Sequence, residues 1–154
     1  MSSIFFLLSS CAKKTEYLQA SDDIVGSSKK LDNTRWKLTA ETSIVETANQ
    51  PNITRNDFID YDECELDDII IYKPNNILAM DQGATKCFDS DPQLADVGVW
   101  TLSSDEKTLT VTTTDGNLFG LGPLKLTVLQ LNNSTLKYQY FYIINNVKTT
   151  TTST

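Results

Sequence analysis

Short turns divide residues 35–154 into apolar segments, and this division constrains the fold more than any other feature. The turn signals lie at residues 73–76, 103–107, 132–134 and 145–146. Pro presets φ in such turns, and Asn tolerates left-handed backbone geometry. No long stretch has a convincing helical period, and connections this short join only antiparallel strands. We therefore predict an antiparallel meander.

The segments between these turns alternate apolar and polar residues. In residues 35–43, Trp36 and Leu38 share one face, which is typical of a half-buried strand. The remaining segments bring the predicted total to eight strands. The sixth, residues 124–131, changes its apolar phase after Val128, which a β-bulge would explain. Eight antiparallel strands lose their exposed edges by closing into an up-and-down barrel, and a two-sheet sandwich is the alternative.

The seventh predicted strand has one face that we expect to line the barrel. Tyr138 and Tyr140 lie on this face, and Lys137 and Gln139 lie on the opposite one. Burying Lys or Gln without partners costs free energy, whereas a buried tyrosine can offer its hydroxyl to a ligand or to water. We therefore predict that the tyrosine face points inward.

The N-terminal residues look like a secretion signal. Residues 4–8 are apolar but too few to cross a bilayer, which needs about 20 residues. The run Leu8, Ser9, Ser10, Cys11 resembles the lipobox of bacterial lipoprotein signal peptides. The resemblance implies that Cys11 carries a lipid and is the first residue of the mature protein. The alternative is a frayed N-terminus with a buried cysteine.

We expect the signal peptide to begin upstream of Met1, because its apolar run is short and no Lys or Arg precedes it. Residues 1–10 would then be a truncated signal peptide. Residues 11–33 have few large apolar side chains and no sustained period, which predicts a disordered, flexible tether after the lipidated cysteine. Residues 34–154 suit one domain rather than two.

Several motifs of this domain can be compared with a known family. They are residues 36–39, Cys64 with residues 67–69, Cys87, residues 98–103 and residues 131–136. Together they resemble the lipocalin-like domain of Bacteroidetes lipoproteins. The resemblance implies an eight-stranded lipocalin-like barrel in the outer envelope, with no assigned chemistry. Because Ala12 rather than Asp follows Cys11, we expect the anchor in the outer membrane.

Cys64 and Cys87 lie at nearly opposite positions of one predicted hairpin. If the hairpin is centred near residue 75, the residue numbers of two paired residues add up to about 150. The numbers of Cys64 and Cys87 add up to 151. In an exported protein this opposition predicts a disulfide that contributes about 3 kcal/mol by the chain-entropy model. Two buried thiols are the alternative. Zinc is disfavoured because no CxxC motif and no histidine is present.

The acidic excess of the chain is local. Among 20 acidic and 13 basic residues, residues 57–68 hold seven acids and no base. A nucleic-acid partner needs a basic face, so we expect none. Residues 60–71 fail the EF-hand pattern, with Glu65 at position six and Ile71 at position twelve. An irregular calcium site stays open, and the plainer interpretation is that Asp67 and Asp68 hydrogen-bond the loop of Cys87.

The absence of histidine excludes Ser-His and Cys-His nucleophiles and His-bound metals. Only carboxylate, Lys or Tyr chemistry is left, and no motif promotes it. We therefore expect no enzyme, no cofactor and no metal-ligating residue, with the irregular calcium site as the open alternative. Our first hypothesis is an envelope lipoprotein whose barrel binds a small apolar or amphipathic ligand. The alternative is an envelope interaction protein, an inhibitor or accessory subunit, with a filled barrel. The interior residues predicted for ligand binding are Trp36, Leu38, Trp100, Tyr138 and Tyr140.

Overall fold

The chain forms one antiparallel β-sheet in the computed structural model, which describes residues 30–114 and 122–154. The strands are β1 (Thr34–Lys37), β2 (Glu41–Glu46), β3 (Ile53–Asn56), β4 (Ile69–Tyr72), β5 (Ile77–Asp81), β6 (Leu94–Leu102), β7 (Thr108–Thr113), β8 (Leu124–Leu131), β9 (Leu136–Ile144) and β10 (Val147–Ser153). Short helical segments occupy Asp57–Asp60 (3-10), Glu63–Leu66 (α1) and Pro74–Asn76 (3-10).

The strand order is β1-β4-β5-β6-β7-β8-β9-β10-β2-β3, so β4 to β10 follow one another as a meander. The sheet curls into a half-barrel. β1 and β2 lie near opposite ends of this order, although only residues 38–40 separate them in sequence. In this link, the N–H groups of Thr39 and Ala40 donate to the carbonyl oxygen of Thr154 at 2.8 and 3.2 Å. Thr154, which follows β10, is therefore hydrogen-bonded to the link between β1 and β2.

The predicted all-β class and antiparallel meander are confirmed. The described residues contain ten strands instead of the predicted eight, because the first predicted strand is divided into β1 and β2 and because β3 is additional. All ten strands belong to one sheet, so the sandwich alternative is wrong.

β3 was not predicted from the sequence. All four of its residues, Ile53–Asn56, are exposed, and they pair with β2 alone. A strand that is exposed on both faces has no apolar alternation, so its sequence resembles that of a loop.

Asparagines hold the left-handed positions at two of the predicted turns. Asn75 and Asn76 have φ values of 62° and 65°, and Asn145 and Asn146 have values of 52° and 64°. This backbone region is costly for most side chains, but Asn visits it readily because its short polar side chain bonds locally. The two turns therefore lie where the sequence predicted them.

Two shifts in strand register change which side chains point toward the interior. The register of β8 against β9 shifts between Val128 and Gln130, which confirms the predicted bulge. A second shift lies between β5 and β6, where Ala79 pairs with Asp96 and Leu78 pairs with Gly98, leaving Val97 between them. This second bulge turns Val97 inward while Val99, two residues later, is half exposed.

The core is a cluster of buried side chains that includes Leu31, Tyr72 and Trp100. Trp100 is almost fully buried, packs edge-on against Tyr72 with ring centroids 5.4 Å apart, and donates its indole N–H to the carbonyl oxygens of Lys73 and Ile77. Leu31 is also fully buried in this cluster, and its carbonyl oxygen accepts a hydrogen bond from the Thr34 hydroxyl. The packed domain therefore includes Leu31, which the sequence analysis assigned to the tether. Residues 1–29, with Cys11, lie outside the described residues.

Candidate ligand cavity

A cavity of about 600 Å³ lies in the hollow of the curled sheet and is called the main cavity below. This volume is in the range of small-molecule binding sites, roughly 300–1,000 Å³. Its lining residues come from β2, β4 to β9 and the chain segments next to them. They are Glu41, Tyr61, Ile70, Tyr72, Leu78, Met80, Asp96, Val97, Val111, Thr113, Thr114, Leu124, Leu126, Tyr138 and Tyr140.

One wall of the main cavity is apolar. It is built from β4 to β8, whose inward side chains include Leu78, Val97, Val111, Leu124 and Leu126. These strands alternate, so every second side chain reaches the interior. The wall can therefore hold the hydrocarbon part of a ligand out of water.

The opposite wall carries Glu41 of β2 and Tyr138 and Tyr140 of β9, and it is polar. β10 lies between these two strands in the sheet. Ser43, Thr149, Thr151 and Ser153 are all buried polar residues of this part of the sheet. In the β9–β10 register, Ser153 lies opposite Tyr138 and Thr151 lies opposite Tyr140. The interior thus has an apolar side and a hydroxyl-rich side.

A buried carboxylate lies on the polar wall. Glu41, the first residue of β2, is only 8% exposed. Its Oε1 accepts a hydrogen bond from the Ser153 hydroxyl at 2.6 Å, and its Oε2 accepts one from the Tyr61 hydroxyl at 2.5 Å. Tyr61 follows the 3-10 helix Asp57–Asp60, so this loop brings the tyrosine over the cavity. These two bonds hold the carboxylate in the interior.

The tyrosines around Glu41 resist ionisation. Burial and, after it, the charge of Glu41 raise the pKa of Tyr140 to about 12. Burial, followed by the hydrogen bond to Glu41, raises the pKa of Tyr61 well above its ordinary value. Burial is also the main cause of the raised pKa of Tyr138, with Glu41 contributing. A negative charge therefore acts on all three rings.

Asp96 lines the main cavity where it reaches solvent, since its side chain is 58% exposed. Its Oδ1 lies 2.6 Å from the Lys73 ammonium group. Lys73 therefore balances the charge of Asp96 at the outer end of the cavity. Glu41 lies inside the cavity, where it accepts hydrogen bonds from hydroxyl groups.

The residues predicted from sequence to line the interior occupy three places. Tyr138 and Tyr140 lie in the wall of the main cavity, which agrees with their predicted inward face. Trp36 and Leu38 line a second cavity of about 170 Å³ beside the 38–40 link. Trp100 is part of the packed core, and its indole N–H is engaged by backbone carbonyls.

Sequence reasoning missed Glu41 and Tyr61. A glutamate at the start of a strand ordinarily faces solvent, and Tyr61 belongs to the acidic segment 57–68, for which no place in the interior was predicted. The alternation of Thr149, Thr151 and Ser153 on one face of β10 was the available signal for a polar interior wall.

The predicted disulfide between Cys64 and Cys87 is confirmed, with Cα atoms 5.2 Å apart. Cys64 lies in α1 and Cys87 in the loop after β5, so the bridge lies beyond the paired part of the hairpin. Asp67 binds the same loop, because its Oδ2 accepts hydrogen bonds from the backbone N–H groups of Ala84 and Thr85. The plainer interpretation of the acidic segment therefore holds for Asp67.

Within residues 30–114 and 122–154, no group of three or more acidic or cysteine side chains is arranged to hold a metal ion. In the same part of the chain, no helix has the length and apolar character that crossing a membrane requires.

Comparisons with family models, with curated proteins and with solved structures find no match to this chain.

Proposed function

We propose that this protein is a lipocalin-like binding protein that encloses a small amphipathic ligand in the main cavity. The observation that carries the proposal is the cavity itself, with its apolar wall on β4 to β8 and its polar wall on β2 and β9. A concave, mostly apolar site with a few placed polar groups is the usual form of a small-molecule site. The protein is further proposed to act without catalysis.

The link at residues 38–40 supports a closed barrel. If β1 and β2 are counted as two halves of one bent strand, that strand pairs with β4 through one half and with β10 through the other. On this count the proposed ring has eight strands, and β3 lies outside it. An eight-stranded barrel has an interior wide enough for one small ligand.

The alternative is an envelope interaction protein with a filled barrel. A filled barrel would have packed side chains in the space where the main cavity lies. The large exposed apolar side chains Phe141 and Ile143 on the outer face of β9 favour a protein partner, but scattered exposed apolar residues are common on soluble proteins. The cavity therefore supports ligand binding more strongly.

A cavity-filling variant tests the proposal. We expect the full chain to bind a neutral, environment-sensitive fluorescent probe with increased fluorescence, and we expect Val97→Trp to reduce this binding at least about tenfold by occupying the cavity. Val99→Trp is the matched control, because it lies on the same strand but half exposed on the outer face. Circular dichroism establishes that both variants are folded.

Two results would contradict the proposal. Wild-type protein that binds no probe would remove the cavity as a ligand site. Equal loss in folded Val97→Trp and Val99→Trp would indicate that the probe binds elsewhere. If Val97→Trp does not fold, Val111→Phe fills the same wall with a smaller increase in volume.

We also propose that Cys11 anchors the protein by a lipid to the bacterial outer membrane. The lipobox-like residues 8–11 and the polar residues that follow them support this proposal. In a bacterium that expresses the chain behind a complete signal sequence, the protein should incorporate labelled palmitate and fractionate with membranes. Cys11→Ser should release it. Unlabelled wild-type protein would refute the anchor without affecting the ligand proposal.

A further inference from the structure

The charged side chains that line the main cavity are acidic. Glu41 and Asp96 contribute carboxylates, and the described lining contains no Lys or Arg. Asp96 is exposed and paired with Lys73. Glu41 is buried, and among the described residues no Lys or Arg nitrogen lies within 4.0 Å of it. Among the residues that the structure describes, Glu41 therefore contributes a negative charge to the interior with no cationic side chain paired to it.

The hydrogen bonds to Glu41 leave part of its acceptor capacity unused. An ionised carboxylate has about four lone-pair sites, and Ser153 and Tyr61 occupy one on each oxygen. Both partners are neutral hydroxyl donors, which stabilise the charge but do not cancel it. A ligand that brings a positive charge within reach of Glu41 would replace hydration that burial has removed.

Aromatic rings surround the same carboxylate. Tyr61, Tyr138 and Tyr140 line the cavity around Glu41, and its charge raises the pKa of each of them. The faces of such rings carry negative potential and attract organic cations within about 6 Å. Carboxylate and rings thus favour the same sign of ligand charge.

We propose that the main cavity selects amphiphiles with a cationic amine head, whose ammonium group pairs with Glu41 and whose apolar tail lies against the wall of Leu78, Val111 and Leu126. This proposal rests on the proposed ligand-binding function and names its ligand class. The lining also predicts how the ligand is oriented. Its head group faces Glu41 on the polar wall, and its tail faces the apolar wall opposite.

The same geometry disfavours an anionic head. A carboxylate placed near Glu41 would put two like charges together in a partly water-excluded site, where their repulsion is stronger than in water. A neutral alcohol could accept or donate a hydrogen bond there but would leave the charge of Glu41 unbalanced. Amine, alcohol and acid heads on one alkyl chain should therefore bind in that order.

The test compares decylamine, decanol and decanoate as competitors of the neutral probe at pH 7, each below its aggregation concentration. We expect decylamine to bind at least about tenfold more tightly than decanol, and decanoate to bind most weakly. Glu41→Gln should reduce the decylamine-to-decanol affinity ratio by most of that factor. Glu46→Gln is the matched control on the same strand, because Glu46 pairs with Lys148 outside the cavity, and it should leave the ratio unchanged.

The outcomes separate this inference from the proposed function. Equal binding of the three compounds, or preference for decanoate, overturns the amine proposal while leaving the cavity as a binding site. Binding of neither probe nor competitor refutes the proposed function itself. The head-group order in the wild-type protein needs no variant, so it decides the question even if Glu41→Gln fails to fold.

Discussion

Among the described residues, Leu31 is the buried residue nearest to the N-terminus. It is 0% exposed, and its carbonyl oxygen accepts hydrogen bonds from the backbone N–H and the hydroxyl of Thr34. Leu31→Ala should lower the free energy of unfolding by about 2–5 kcal/mol, since it opens a cavity in a packed cluster. Urea denaturation measures this loss.

Leu129→Ala is the control for that measurement, because the Leu129 side chain is half exposed. Its cost should stay under about 0.5 kcal/mol. Similar small losses in both variants would contradict the packing of Leu31 against the core.

The buried tyrosines predict how stability depends on alkaline pH. The pKa of Tyr140 is raised to about 12 in the folded protein, against about 10 in an unfolded chain. The unfolded state therefore loses this proton first as the pH rises. The stabilisation is fully present below pH 10 and is lost between about pH 10 and pH 12. Tyr61 and Tyr72 shift in the same direction.

Tyrosinate absorbance during an alkaline titration checks this prediction. We expect part of the tyrosine signal to be delayed above pH 10 while circular dichroism still reports folded protein. The same titration in denaturant should show all tyrosines ionising near pH 10. Glu41→Gln should bring the delayed signal to lower pH, because the Glu41 charge contributes to the shift of Tyr140. Complete ionisation near pH 10 in the folded state would be incompatible with the buried tyrosine wall.

The sequence predicts the burial of some residues of the cavity wall but not of others. The inward face of β9 was predictable, because Lys137 and Gln139 are costly to bury and therefore assign Tyr138 and Tyr140 to the interior. The burial of Glu41 was not predictable, since it depends on the hydroxyl of Tyr61, which a separate loop brings to the same place.

At the scale of elements, the disulfide joins α1 to the loop after β5. The bridge closes a segment between cysteines separated by 23 positions. By the chain-entropy model, its loss should destabilise the protein by about 3 kcal/mol. Cys64→Ala, Cys87→Ala and the double variant should lose the same amount, because each removes the same bond. Chemical denaturation compares the three.

Non-reducing peptide mapping supplies the covalent assignment. Peptides that contain Cys64 and Cys87 should be linked to each other in protein purified from an oxidising compartment. Free thiols at both positions, or a bridge from either one to Cys11, would contradict this pairing.

Elements bounded by clear turns were predictable, and the others were not. The Asn75–Asn76 and Asn145–Asn146 turns fixed their hairpins, because few residues other than Asn and Gly accept positive φ. The division of the first strand could not be predicted, because it follows from pairing with β4 at one end and β10 at the other. Pairing between strands that are distant in sequence leaves no recognisable pattern in the residues of the first strand.

At the scale of the whole molecule, the meander follows from local turns, whereas the curl depends on the accumulated twist and bulges of many strands. The bulge beside Val97 is one example, since it turns this side chain into the cavity. The main cavity is therefore a property of the assembled sheet. The sequence left open whether the barrel is hollow or filled, and the cavity supports the proposed ligand binding over the filled-barrel alternative.

An NMR titration of methyl-labelled protein with decylamine tests the central claim most directly. We expect chemical-shift changes to concentrate on inward methyl groups, and to be small on methyl groups of the outer face. The inward set is Leu78, Val97, Val111, Leu124 and Leu126, and the outer set is Val99, Leu129 and Ile143. Saturable changes confined to the inward set are the predicted result, and changes confined to the outer set, or none at any concentration below aggregation, would contradict a ligand cavity in this sheet.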